Sequence, residues 1–207
     1  MDPTHISHIP LQLPQDVAFV TQSEKGIGAI KTIENHINSM GELVFQRIMT
    51  EKEQQTGAAP SSLDRSPLKA TLREQFSLEM EQVAKSASDE IAKWARIENA
   101  EAVQGGRKKE AVSKAADAVA EYMPKIKENI DRRFAGILAK ARVHDAVFPD
   151  NTPLTPDDED ILKIKIESLS EGEKLWNPFR KKLNTLAQTI FTQSKQDLGL
   201  ESDIREY

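Results

Sequence analysis

A long, regular apolar period constrains this chain more than any other feature. Leu68, Leu72, Phe76, Met80, Val83, Ala87, Ile91 and Trp94 follow one another in steps of 4, 4, 4, 3, 4, 4 and 3. Steps of three and four place all of these side chains on one face of an α-helix. A strand alternates its side chains with period two and would scatter them over both faces. A helix with such a stripe has to lie against other helices, so the spacing predicts an all-α fold with no substantial β-sheet.

Local signals bound this helix. Ser66-Pro67 is a cap followed by a proline at the first helical position. Glu81/Lys85 and Asp89/Lys93 are i,i+4 pairs that support the exposed side. Gly105-Gly106 reads as the stop. The next helix is expected from about Arg107 to His144, with a stripe of Val112, Ala115, Ala116, Val119 and Met123, then Ile126, Ile130, Phe134, Ile137 and Ala141. Pro124 interrupts it. A proline lacks the N–H and costs about 3 kcal/mol inside a helix, which predicts a kink or restart there. A short glycine turn between two long helices implies an antiparallel hairpin over residues 67–145. Ala84, Ala87, Ala92, Ala95, Ala115, Ala116, Ala118 and Ala120 would let the helices approach closely.

Upstream, Ile30, Ile33, Ile37, Met40 and Val44 step by 3, 4, 3 and 4, which is heptad spacing. They predict a helix over residues 23–50, although Arg47 breaks the seam. Residues 51–66 carry Gly57, Pro60 and paired serines and read as a linker.

Residues 1–22 hold Pro3, Pro10 and Pro14, so an extended arm is expected rather than a helix, with a possible short strand at Val17–Val20. The arm is not a polar tail, because Ile6, Ile9, Leu11, Leu13 and Phe19 are apolar at near-regular intervals. Such an arm can pack on its own domain or lie in a partner's groove. Trp176 and Phe179, beside Pro178, are further candidate partner anchors.

The C-terminal region, residues 146–207, opens on a proline-rich corner. Thr155-Pro156 followed by Asp157, Asp158 and Glu159 is a helix start, with acids at the positive end of the dipole. Leu162, Ile164 and Ile166 alternate as in a strand, while Leu162, Ile166 and Leu169 also fit a helix. The start signal favours a helix. A final helix carries Phe179, Leu183, Leu186, Ile190 and Phe191 and stops at Gly199. The expected architecture is thus an elongated helical hairpin or bundle with a proline-containing arm.

Composition excludes several chemistries. There is no cysteine among the 207 residues. That removes disulfides, thiolate metal sites, Fe–S clusters and cysteine nucleophiles. His5 and His8 sit three apart, without the further ligands a metal needs, and no HExxH occurs, so no metal or cofactor is expected. Gly26 and Gly28 precede a helix, but position 31 is Lys, and neither a dinucleotide fingerprint nor a P-loop is complete. Carboxylates cluster at Asp157–Asp160, where helix-dipole compensation accounts for them. No GxSxG is present, and with 5% aromatic residues a deep pocket is hard to line. The chain is not expected to be an enzyme.

Charge is distributed in blocks. The net charge is −5, yet residues 105–145 carry +4 between acidic stretches of −5 each. Alternating blocks suit faces that meet one another or neighbouring copies. Within the basic block, Arg132, Arg133, Lys140 and Arg142 could touch a nucleic-acid backbone, but no aromatics interleave them for base stacking. The apolar fraction of 38% is low against about 45–50% for ordinary domains, so the stripes look incomplete without partners. No run of about 18 apolar residues predicts a membrane span, and the first 22 residues lack a secretory pattern. The expectation is a soluble protein, in a virion or the cytoplasm, with the compartment otherwise open. Its expected role is a non-enzymatic structural or assembly subunit, oligomeric or docked on other proteins, of the kind used in a virion, a phage particle or a secretion apparatus. The alternative is a secreted bacterial effector or adaptor that binds a protein partner.

Overall fold

The structure, a computed structural model, describes residues 6–56, 67–104, 106–142, 156–171 and 181–200. The fold is all-α. A 3-10 helix spans Gln15–Gln22, and five α-helices follow: α1 (Glu24–Thr56), α2 (Pro67–Gln104), α3 (Lys108–Ala141), α4 (Pro156–Glu171) and α5 (Lys181–Asp197). Among the described residues there is no strand.

The chain divides into two compact units. The first holds Met1–Glu42 and Ala58–Ile130, and the second holds Leu43–Gly57 and Asp131–Tyr207. Helices α1 and α3 contribute to both. In the first unit Ile30, Ile33, Ile37 and Met40 of α1 are buried, as are Phe76, Met80, Val83, Ala87 and Ile91 of α2 and Ala115, Ala116, Val119 and Ile126 of α3. These are the stripes read from the sequence, closed on one another. All the alanines expected to allow close approach are buried except Ala120, which is half-buried. Trp94 of α2 stacks on Tyr122 of α3, with ring centroids 3.6 Å apart and planes 7° from parallel. The second unit buries Val44, Phe45, Ile48 and Met49 of α1, Phe134 and Leu138 of α3, Leu162 and Ile166 of α4, and Ala187 and Phe191 of α5. Within it, α4 packs on α5.

Helix ends follow their local chemistry. Ser23 caps α1: its Oγ accepts from the Gly26 N–H at 3.0 Å, and its carbonyl accepts from Ile27 at 3.0 Å. Gly26 is dictated by crowding rather than by backbone freedom, because a Cβ there would run into the Val20 carbonyl oxygen. Gly106 lies in the turn before α3 at φ +72°. Past α5, Gly199 at φ +69° lets Leu200 N–H reach the Lys195 carbonyl (3.0 Å) and its own N–H reach Gln196 (2.9 Å). That pair of bonds is a Schellman closure.

Four segments differ from, or resolve, what the spacing alone suggests. Residues 15–22 are a 3-10 helix and not extended chain: past Pro14, Val17 N–H bonds the Pro14 carbonyl at 3.0 Å. Val17 and Val20, three apart, then eclipse and bury together. Helix α1 runs on to Thr56, through the first part of the expected linker. Its residues there are good helix formers, and Arg47 Nε bonds Glu51 Oε1 at 3.0 Å across one turn. The remainder of that linker lies outside the described residues. Pro124 sits exposed inside α3, which continues through it without a restart, with buried Val119 and Ile126 on either side. Residues 161–167 are helical: Leu162 and Ile166 are fully buried while Ile164 is 59% exposed, a separation no strand would give.

Candidate functional site

Residues 6–14 lie extended along α1 in the first unit, running antiparallel to it. Ile6 N–H donates to Glu42 Oε2 at 3.3 Å, Ile9 N–H to Asn38 Oδ1 at 2.9 Å, and Leu11 N–H to Glu34 Oε2 at 2.9 Å. Asn38 also donates from Nδ2 to the Ile9 carbonyl at 3.0 Å, so one side-chain amide clamps both polar groups of Ile9. A second Asn38 Nδ2 bond, to the Glu34 carbonyl at 2.8 Å, orients the amide. Pro10, which has no N–H, falls between two bonded positions.

The acceptors are Glu34, Asn38 and Glu42, each four residues from the next. That spacing lines them along one edge of α1, beside its buried stripe. An extended chain rises about 3.3 Å per residue and a helix 1.5 Å. The five steps from Ile6 to Leu11 therefore cover about 16 Å and the eight steps from Glu34 to Glu42 about 12 Å, a difference taken up by the reach of the two glutamates at the ends. Each bond contributes about 1–2 kcal/mol, toward the upper end where the acceptor is a carboxylate.

Apolar contact accompanies the ladder. Ile6, Ile9, Leu11, Leu13 and Phe19 are all half-buried, and none is fully enclosed. At Gly41 the approach is closest: an added Cβ would stand 2.5 Å from Met80 Cε, 2.7 Å from Met80 Sδ and 3.2 Å from Ile6 Cδ1. Gly41 thus leaves the room in which Ile6 and Met80 meet. His8, on the outer side, lies 3.5 Å from Glu34 Oε1.

The base of the arm is fixed separately. Val17 and Val20 are fully buried, and the 3-10 helix packs on α2. Asp16 accepts two bonds from Arg96, at 2.7 and 3.0 Å. The hydrogen bonds from Arg96, with its charge, hold the Asp16 carboxyl below its ordinary value against a small opposing effect of burial.

The remaining candidates are distributed differently. Arg142 is half-buried in the second unit. Its Nε and Nη2 donate to Glu51 at 3.0 and 2.5 Å, Nη2 also to Asp197 at 2.6 Å, and Nη1 to Ser194 at 3.2 Å. The guanidinium is spent on tying α1, α3 and α5 together there. Lys140 stands 3.6 Å from Glu167, and Arg132 and Arg133 are half-buried on α3. Trp176 and Phe179 lie outside the described residues. A depression of about 350 Å³ is lined by Leu43, Gln46, Arg47, Thr50, Glu51 and Gln54, all of α1, and its one carboxylate is engaged by Arg47 and Arg142. Among the described residues no three His, Asp or Glu side chains converge as a metal site requires, and no helix is long and apolar enough to cross a membrane.

The apolar residues of the arm were visible in the sequence; their receptor was not. Glu34, Asn38 and Glu42 flank the heptad stripe and carry no motif of their own. The signal that could have found them is three carbonyl-bearing side chains at four-residue intervals beside an arm with matching donors. No protein family, curated protein or solved structure matches the chain.

Proposed function

We propose that this chain is a non-enzymatic structural or assembly subunit, which oligomerises or docks on partner proteins through its arm and helical faces. A virion, a phage particle or a secretion apparatus is the setting such a part would suit. The observation that carries the reading is the arm: an extended segment recognised through its main chain by side chains of a helix. Recognition of this kind needs no particular covalent connection between the two parts, so it joins separate chains as readily as segments of one. The alternating charge blocks add complementary faces for neighbouring copies. Partner docking through Trp176 and Phe179, and backbone contact with a nucleic acid through Arg132, Arg133 and Lys140, are secondary parts of the same proposal. Arg142 is assigned to internal pairing instead.

Light scattering on the purified chain at micromolar concentration tests the reading. A mass that is a multiple of 23.2 kDa is expected. A single species at the monomer mass across the concentration range would count against self-assembly.

A further inference from the structure

We infer that the receptor for the arm on α1, formed by Glu34, Asn38, Glu42 and the gap at Gly41, also takes the arm of a second copy, so that two chains exchange residues 6–13. The inference rests on the assembly reading and specifies its joint. The occupant follows from the fit. Donors at Ile6, Ile9 and Leu11 meet acceptors at Glu42, Asn38 and Glu34, and the donorless Pro10 falls where no acceptor is needed. An identical arm satisfies this pattern by construction, and every bond made within one chain is reproduced between two.

The arm is also built to leave. Its fixed base and its seat are separate: Val17, Val20 and the Asp16–Arg96 pair hold the 3-10 helix on α2 whether or not residues 6–13 are docked. No arm side chain from Ile6 to Leu13 is fully buried, so the arm lies along the helix edge and is not itself a centre of the first unit's core. Pro14, at φ −54° and ψ 145°, is already extended and stands at the joint where the arm would swing out. Pro10 and Pro14 keep the free arm extended, which lowers the ordering cost of docking it elsewhere. Reciprocal exchange closes with two-fold symmetry and uses both receptors, so it ends at a dimer rather than a fibre.

The chain has no cysteine, which makes a trans-specific test simple. His8→Cys is placed in one copy and Glu34→Cys in another, the parent side chains meeting at their tips 3.5 Å apart. Cysteine is shorter than either parent, so the copies are mixed and joined with a short thiol-specific bifunctional reagent that spans the gap rather than by direct oxidation. Exchange is expected to form the mixed cross-linked dimer roughly tenfold or more faster than a collision control in which the second copy carries Ser113→Cys. A second measurement leaves the sequence intact. Copies labelled at isoleucine δ1-methyls are mixed with copies labelled at methionine ε-methyls, and an intermolecular nuclear Overhauser effect between Ile6 and Met80 is expected. If the chain is oligomeric by mass but the mixed cross-link forms at the collision rate and no Ile6–Met80 effect appears between the two sets of copies, exchange is overturned while the assembly reading stands. If the chain is monomeric throughout, both are overturned.

Discussion

Asn38 shows how much can depend on one side chain. Its amide accepts from Ile9 N–H, donates to the Ile9 carbonyl and is itself steadied by the Glu34 carbonyl. Asn38→Ala removes both bonds to the arm while leaving α1 a better helix former. The expected result is a loss of about 1–2 kcal/mol in arm docking, read as faster hydrogen exchange at the Ile9 amide with little change in the global unfolding midpoint. Two glycines of α1 give opposite expectations. Gly28 has open space around its Cβ position, so Gly28→Ala should raise stability by about 0.5–1 kcal/mol through helix propensity alone. Gly41 faces the sulfur and terminal methyl of fully buried Met80, which would have to shift to admit a Cβ. Gly41→Ala should therefore cost about 1–3 kcal/mol of overpacking, partly offset by the same propensity gain, and lower the midpoint in a denaturant titration. Nothing in the sequence separates these two glycines, because the difference lies in which neighbour the tertiary fold brings up.

At the scale of elements, periodicity located the helices and local chemistry located their ends, but competition between the two was legible only in part. The stripes of α1, α2 and α3 are buried as their spacing implied, because a helical face of that length has no other way to leave water. Proline signals were less decisive. Pro124 pointed to a kink or a restart, and α3 does not restart there: it is one helix through the proline, with buried apolar anchors on both sides. Restoring the hydrogen bond that a proline cannot donate, Pro124→Ala should stabilise the protein by about 1–3 kcal/mol, measurable by thermal or chemical unfolding. The ion network of the second unit carries a pH dependence. Partial burial works to raise the Glu51 and Asp197 carboxyls, but bonds and charge from Arg142, with help from Arg47, outweigh it and leave both below their ordinary values. A carboxyl depressed in the folded state stabilises above its unfolded value and loses that contribution as pH falls through the folded one. Stability should thus be steady near neutrality and decline below about pH 4.5. Glu51→Gln should destabilise at pH 7 and show a weaker acid decline than the parent in urea titrations at stepped pH.

For the whole molecule, the all-α class was legible in the apolar spacing of the long helices, though alternation at Leu162–Ile166 also suited a strand, and an apolar, proline-stiffened arm was legible up to Pro14. The place where the arm rests was not, because Glu34, Asn38 and Glu42 become a receptor only when an extended chain is laid beside them. Low aromatic content pointed to shallow surfaces more than to pockets, and the best-formed joint is accordingly a main-chain ladder along a helix edge. The account stands on that joint being the connector between copies. Sedimentation equilibrium of the intact chain, compared with a chain that begins at Pro14, tests it most directly. The account predicts that the intact chain associates with concentration above 23.2 kDa and that removing residues 1–13 leaves a folded, helical species that stays monomeric. Equal association of the two chains would contradict it.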